Sequence, residues 1–272
     1  CLYCSADSSS LIEQQMSKHK DLSPTIKEHR QKRYIKSPHY KEFISTFFNY
    51  LPQLLESLHT LRITGGEPLL SKRVGKLIDF IISHKYPKLT FAINTNLSLT
   101  QNHIETFSTK LSLLKDNVKE TQLFISIDTL GKDASFIRKG LNFDLFAKNI
   151  QFIMKQHQDI NIIIMATLTS LSISSFKLFL GYIITLKNDH PALILDITPL
   201  KEPSFLSICF MTQDELEILS DCYSFMNSNA AFFSHQEIEK LKLCLDLANS
   251  YRSEAKEIDR RNLLINELSA IS

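Results

Sequence analysis

The sequence predicts an α/β fold of parallel βα units followed by a helical C-terminal part. Short apolar strand patterns alternate with amphipathic helix patterns five times, which is typical of parallel strands covered by helices. After Pro199 the strand patterns stop, and only helix patterns follow. A length of 272 residues fits one large domain, or one domain with a small appendage.

Hydrophobic periodicity assigns each element in turn. The predicted strands cover residues 60–64, 89–94, 122–128, 161–168 and 192–198. The predicted helices cover residues 40–58, 74–84, 101–114, 145–156, 174–186, 212–226, 234–249 and 252–268. Pro52 predicts a kink or a break in the first helix, because proline lacks the backbone N–H that a helix uses. Thr212, three residues before Glu215, predicts a capping box at the start of a later helix.

Composition excludes several classes of protein. Hydrophobic residues make up 43% of the chain and charged residues 22%, which is typical of a globular protein and not of a disordered one. No apolar run approaches the roughly 18–20 residues that cross a bilayer, so no membrane partner is expected. The net charge of +2 gives no general attraction to nucleic acid. Five cysteines, an odd and sparse set, favour a reducing cytosol over a disulfide scaffold, so the expected location is cytoplasmic.

One segment departs from this charge balance. Residues 18–36 carry seven Lys or Arg and two acidic residues. An RNA contact is one interpretation, although only Tyr34 offers a ring that could stack on a base. A solvated surface insertion is the simpler interpretation.

Polar residues and glycines gather where the predicted strands end. These positions are 65–67, 94–96, Ser126, Asp128, Thr167 and 199–201. Alternation with a period of two assigns to one face Ala92, Asn94, Asn96, Phe124, Ser126, Asp128, Ile163, Met165 and Thr167. Ligands of βα barrels bind at the carboxyl ends of the strands, so these positions predict a site at this end of the fold. Loop residues are polar in any case, which leaves a purely structural interpretation open.

Cys1 and Cys4 form a Cys-x-x-Cys pair at the start of the chain. Such thiolates suit iron–sulfur clusters or zinc. Zinc prefers four protein ligands, and the sequence has no second Cys-x-x-Cys pair. The nearest histidines in sequence, His19 and His29, match no familiar zinc spacing. The pair therefore indicates a metal or redox site, with zinc the less favoured choice.

The segment Gly65-Gly66-Glu67-Pro68 directly follows a predicted strand. Two glycines let a ligand approach the backbone, and the carboxylate of Glu67 could accept a hydrogen bond from an ammonium group. A tight turn before the next helix is the alternative. Ser126 and Arg138 could hold a carboxylate, because a guanidinium binds carboxylates bidentately. A surface ion pair would equally explain Arg138.

Together, these motifs resemble the radical S-adenosylmethionine (SAM) superfamily. The family's marker is a Cys-x3-Cys-x2-Cys loop after the first strand, and Cys1-Leu2-Tyr3-Cys4 is similar to its last two cysteines. The segments that resemble the family's motifs at the second, third and fourth strands are 61–70, 93–96, 124–128 and 136–140 with Phe143. The resemblance spans residues 1–200.

The resemblance implies a partial (βα)6-type parallel barrel domain over residues 1–200 and a helical C-terminal extension over residues 201–272. The family's first cysteine would lie four positions before Cys1, so the chain is expected to be N-terminally truncated and to lack the first strand of the barrel. Segments 203–207 and 257–262 resemble twitch-type, SPASM-related radical SAM proteins. The tail lacks the cysteine clusters of SPASM domains, so no auxiliary cluster is expected.

The resemblance also implies a [4Fe–4S] cluster and SAM as cofactors. In the family, the reduced cluster cleaves SAM to a 5′-deoxyadenosyl radical, which abstracts hydrogen from the substrate. The implied cluster ligands are Cys1 and Cys4. The implied SAM contacts are Tyr3 near the adenine, Gly65, Gly66 and Glu67 at the amino group, Asn94 and Asn96 at the ribose, Ser126 and Arg138 at the carboxylate, and Thr167 and Leu200 beside the adenine. No residue is assigned to the chemistry on the substrate.

Partners follow from the same resemblance. The substrate is expected to be a peptide, an RNA base or a small metabolite, and the electron donor a protein such as flavodoxin or ferredoxin. The alternative is a catalytically inactive scaffold of the same fold that binds RNA or protein.

Overall fold

The computed structural model describes residues 2–4 and 38–251. The predicted helix over 252–268, the basic segment over 18–36 and Cys1 lie outside these residues.

Five strands form a single sheet in which all neighbours are parallel. They lie side by side in chain order as β1 (Thr60–Ile63), β2 (Tyr86–Thr95), β3 (Val118–Ser126), β4 (Asn161–Leu168) and β5 (Ile194–Pro199). The predicted α/β class is confirmed, and five consecutive parallel strands are compatible with a partial barrel.

Eight α-helices lie within the described ranges. They are α1 (Tyr40–Ser57), α2 (Lys72–Ser83), α3 (Gln101–Lys115), α4 (Gly131–Ile137), α5 (Phe143–Gln156), α6 (Ile173–Asp189), α7 (Gln213–Ser228) and α8 (His235–Ser250). Short 3-10 helices cover Pro68–Leu70, Ser204–Leu206 and Ile208–Phe210.

The core lies between the sheet and the helices. Phe91, Ile93 and Ile125 stand at strand positions with no exposed surface, and they belong to one apolar cluster with Phe146 of α5 and Phe176 of α6. Helical crossovers cover the faces of parallel sheets, which explains why these strands are rich in large apolar residues.

Polar caps fix the starts of several helices. Ser71 accepts a hydrogen bond from the backbone N–H of Val74 at the start of α2. Thr212 and Glu215 form the predicted capping box of α7, with the Glu215 carboxylate accepting from the Thr212 N–H at 2.6 Å. The reciprocal pair of bonds satisfies backbone donors that the helix leaves unpaired.

The predicted break at Pro52 is wrong, and one helix is missing from the predicted elements. The break does not occur, since helix α1 continues through Pro52, with Leu51 and Leu55 on either side buried in the core; the kink stays a prediction. Helix α4 matches no predicted element, because its seven residues are too few to show a helical period.

Helix α8 covers the edge of the sheet at β5. The Glu237 carboxylate accepts hydrogen bonds from the backbone N–H of Leu195 in β5 and from Lys187 of α6, both at 2.7 Å. Both charged side chains are buried, with 7% of Lys187 and 4% of Glu237 exposed. A side chain of α8 thus satisfies a backbone donor of the edge strand. In the described part of the chain, no helix is long and apolar enough to cross a bilayer.

Candidate functional site

The carboxyl ends of β1–β5 and the loops directly after them form one rim of the sheet. The glycine loop after β1 lies there. Gly65 has φ of +136°, a conformation that side-chain-bearing residues rarely adopt, so the loop requires glycine at this position. Gly65 and Gly66 are both exposed. Their backbone is therefore accessible from solvent.

Glu67 ties this loop to the end of β2. Its carboxylate accepts hydrogen bonds from the Thr95 hydroxyl at 2.9 Å, from the Asn96 N–H at 2.8 Å and from the Leu69 N–H at 3.2 Å. Burial raises the pKa of Glu67, and the three hydrogen bonds only partly oppose this shift. Glu67 thus shapes the loop through contacts within the protein.

A strained turn follows β2. Leu97 has φ of 50° although it carries a branched side chain, and it is fully buried. The backbone carbonyl of Leu97 accepts a hydrogen bond from buried Asn149 of α5 at 2.7 Å. Asn96 turns its side-chain oxygen to the N–H of Ser98 at 2.9 Å. This turn is a feature that sequence reasoning missed, because Asn149 lies 52 residues from the carbonyl that it binds.

The N-terminal residues reach the same rim through Tyr3. The Tyr3 hydroxyl donates to Asp128, just after β3, at 2.9 Å. The backbone N–H of Leu2 donates to the carbonyl of Ile137 at the end of α4 at 2.7 Å. Leu2 is 7% exposed and packs with Leu200, Phe205 and Leu206 after β5. Residues 2–4 are therefore held beside the ends of β3 and β5.

Asp128 and Arg138 form a buried ion pair at this point. Arg138 donates from Nε and Nη2 to the two carboxylate oxygens of Asp128, each at 2.8 Å, and from Nη2 to the Tyr3 hydroxyl at 2.9 Å. The Thr167 N–H donates to Asp128 at 3.0 Å. The Asp128 side chain has no exposed surface, and 18% of the Arg138 side chain is exposed. The pair thus joins residues 2–4, β3 and β4.

The electrostatics of this cluster raise the pKa of both Arg138 and Tyr3. Burial opposes the charged guanidinium of Arg138, but the attraction of Asp128 outweighs it and raises the pKa of Arg138 above its ordinary value. Burial and Asp128 raise the pKa of Tyr3, so its hydroxyl stays a neutral donor.

The described residues do not by themselves make a cluster site. Of the two predicted cluster ligands they include only Cys4, whose sulfur is disulfide-bonded in the structure, so it would need reduction before binding iron. Within residues 2–4 and 38–251, no group of three His, Cys, Asp or Glu side chains is placed to hold a metal ion. The other predicted ligand, Cys1, lies outside the described residues.

The remaining predicted residues fall into two groups. Thr167 and Leu200 lie with Tyr3, since the Thr167 N–H and the Tyr3 hydroxyl bind the same Asp128 carboxylate and Leu200 packs in the apolar cluster that Tyr3 contacts. Asn94 and Ser126 lie within the carboxyl ends of β2 and β3. Ser126 stands in register with Met165 of β4.

Arg62 of β1 is a residue that the sequence reasoning missed. Its Nε donates to the Asn94 side-chain oxygen at 3.0 Å, and its guanidinium carbon lies 3.7 Å from the centre of the Phe124 ring. Its Nη2 contacts the Met165 sulfur at 3.3 Å. The alternation that assigned Asn94, Phe124 and Met165 to one face is confirmed by this contact, and the same alternation in β1 would have added Arg62.

No protein-family model and no curated protein matches this chain. Among solved structures, anSMEcpe with bound S-adenosylmethionine (AdoMet) and Cp18Cys peptide is 15% identical, with a TM-score of 0.47 over 71% of this chain and 55% of that chain. SuiB of Streptococcus suis bound to S-adenosylmethionine is 16% identical, with a TM-score of 0.47 over 82% of this chain and 51% of that chain. The match covers about half the length of each of these two proteins. The similarity is one of fold. At these values it carries no conclusion about activity.

Proposed function

We propose that this chain is part of a radical SAM enzyme, which binds SAM across the rim and abstracts hydrogen from a substrate. One observation carries the proposal: Tyr3 holds the Cys4 segment at the same end of the sheet as the exposed Gly65-Gly66 backbone. These are the two motifs that resemble the family's cluster loop and its SAM-binding loop. A position at the same end of the sheet is what one site for both cofactors requires.

The glycine loop would bind the amino group of SAM. The backbone carbonyls of Gly65 and Gly66 are accessible acceptors for an ammonium, and no Cβ stands in the way. Glu67 would contribute mainly by holding this backbone in position, because three protein donors already bind its carboxylate.

The carboxylate of SAM would lie between Ser126 and Arg138. The Nη1 nitrogen of Arg138 has no hydrogen-bond partner in the described part of the chain, while Nε and Nη2 are bound to Asp128. A guanidinium that is fixed on one edge and open on the other can bind a second carboxylate without reorienting.

The ribose and adenine contacts follow from the remaining positions. Asn96 would bind the ribose with its amide nitrogen, since its oxygen is bound to Ser98, and Asn94 would line the same region. Tyr3, Thr167 and Leu200 would form the wall beside the adenine.

Cys1 and Cys4 would hold the [4Fe–4S] cluster together with a further thiolate. When bound, the cluster supplies the electron that cleaves SAM. A flavodoxin or ferredoxin would deliver that electron, and a peptide, an RNA base or a small metabolite would be the substrate. A cytoplasmic location and the twitch-type subfamily belong to the same proposal.

The test is the production of 5′-deoxyadenosine. The protein is expressed from its whole reading frame, the cluster is reconstituted without oxygen, and SAM and a strong reductant are added. Product is expected from the wild type and from Cys209→Ala, whose free thiol lies in the loop after β5. Product is expected to vanish in Cys4→Ala. A protein that holds a full cluster and makes no product would instead be an inactive binding scaffold of this fold.

A further inference from the structure

Arg62 lies on the face of the sheet that also carries Asn94, Phe124 and Met165, called here the inner face. Three contacts fix the guanidinium: the Phe124 ring beneath it at 3.7 Å, the Asn94 oxygen at 3.0 Å and the Met165 sulfur at 3.3 Å. An arginine stacked on a ring and held at Nε has little rotamer freedom left to lose on binding a ligand. The cation is therefore pre-oriented.

The charge of Arg62 is not neutralised by the groups around it. Its three contacts are a ring, an amide oxygen and a thioether, all of them uncharged. Across residues 2–4 and 38–251, no ion pair involves Arg62, whereas Arg138 binds Asp128 bidentately. Arg62 is also exposed. A fixed, exposed and unpaired guanidinium is a binding group for an oxyanion.

Arg62 lies beside one proposed SAM contact, Asn94, but away from the glycine loop that would bind the amino group. It lies one residue before the end of β1 and three residues before Gly65, which along an extended chain corresponds to about 10 Å from the glycine. Because SAM would lie across the rim, a group bound at Arg62 would lie on the inner face beneath it. That is where a substrate must lie to meet a radical formed at the rim.

We infer that Arg62 binds an oxyanion of the substrate, either a carboxylate or a phosphate group, on the inner face. That the bound anion belongs to the substrate rests on the proposed function. The anion site itself is inferred from the contacts of Arg62 alone. Asn94 and Phe124 are then positioning residues that hold the guanidinium.

The test is an NMR titration of the full-length protein labelled with 15N-arginine. The chain has eight arginines, so few Nε–H signals overlap, and the one missing in Arg62→Gln identifies Arg62. Glutarate and inorganic phosphate serve as separate probes, each added with and without saturating S-adenosylhomocysteine. A saturable shift of the Arg62 signal is expected with one or both probes, and S-adenosylhomocysteine should leave it in place. The probe that shifts the signal identifies carboxylate or phosphate chemistry.

Two variants make the test specific. Arg73→Gln removes another exposed arginine, which lies near the Tyr40 ring, and the Arg62 shift is expected to persist in it. Arg62→Lys keeps the charge but loses the planar fork, so the probe is expected to bind Arg62→Lys about ten-fold more weakly, read from shifts of neighbouring backbone amides.

Three results would overturn the inference. They are no shift with either probe, equal binding to Arg62→Lys, and a shift that S-adenosylhomocysteine abolishes, which would assign the anion site to the carboxylate of SAM. Failure of the proposed function is read separately. It would show as absence of 5′-deoxyadenosine in the assay above while the Arg62 shift persists.

Discussion

The Asp128 carboxylate holds residues 2–4 against the sheet through Tyr3. Its carboxylate binds Arg138 through two hydrogen bonds, Tyr3 through one and the Thr167 backbone through one. The sequence placed Asp128 on the correct face but could not show these partners, because Tyr3 lies 125 residues away along the chain. Contacts of such separation are set by the fold and leave no local pattern.

Asp128→Asn is expected to reduce the free energy of unfolding by about 3–5 kcal/mol, because it leaves the Arg138 guanidinium buried without a counter-charge. Urea denaturation measures this loss. The matched control is Asp221→Asn, whose exposed pair with Lys177 at 3.7 Å should contribute little. Equal stability of the two variants would show that the buried pair contributes no more than a surface one.

The contribution of Glu67 to the stability of the fold depends on pH. Its folded-state pKa is raised above the ordinary value of 4.5, mainly by burial. The native state therefore holds the proton more tightly than the unfolded chain, so stability is highest below 4.5 and falls as the pH rises through the raised folded pKa.

As the pH rises through the folded pKa of Glu67, the wild type should therefore lose unfolding free energy relative to Glu67→Gln. Urea denaturation at a series of pH values measures it, with Glu105→Gln on the exposed side of α3 as the control. A difference that does not change with pH, or that moves toward the wild type, would contradict the prediction.

At the scale of elements, the sequence predicted the types and order of the strands better than their ends. The strand over 161–168 was predicted with its exact bounds, because its continuous apolar run has polar residues at both ends. The strand predicted over 122–128 begins earlier, at Val118. Lys119 and Glu120 interrupt the apolar pattern, which is why the sequence misses this part, although Val118 and Glu120 pair with β2. Sheet pairing thus extends a strand beyond its apolar segment.

The buried carboxylate of Glu237 joins helix α8 to β5 and α6. Glu237→Gln is expected to lower the free energy of unfolding by about 3 kcal/mol or more, because it leaves Lys187 buried without a counter-charge. The amide of Leu195 should exchange faster with solvent, since its acceptor is weakened. Urea denaturation and hydrogen exchange measure the two effects.

Glu217→Gln on the exposed side of α7 is the control for this variant. It should change neither the free energy of unfolding nor the exchange of Leu195. Unchanged exchange in Glu237→Gln would show that α8 is held to β5 by other contacts.

At the scale of the whole molecule, the parallel order of the strands is what brings distant motifs to one rim. Each strand ends at the same side of the sheet, so loops that are 30 or more residues apart become neighbours. For this reason the sequence could predict a site at the strand ends from topology alone. It could not predict that protein donors already bind the carboxylates of Glu67 and Asp128, or that Arg62 has no ion pair within the described residues.

Ligand linkage tests whether this rim binds SAM in the intact protein. S-adenosylhomocysteine should stabilise the wild type by about 2.7 kcal/mol at a concentration 100 times its dissociation constant, read as a rise in melting temperature. Gly65→Ala should lower the gain at the same concentration, because alanine at φ of +136° is strained by about 1–3 kcal/mol and would reshape the loop. Gly75→Ala in α2 is the control, since its new Cβ would meet only the end of Lys110 at 3.8 Å, an ordinary contact. An equal gain in Gly65→Ala and Gly75→Ala would place the ligand away from the glycine loop. A smaller rise in melting temperature in Gly65→Ala alone would show that the ligand stabilises the whole molecule through this loop.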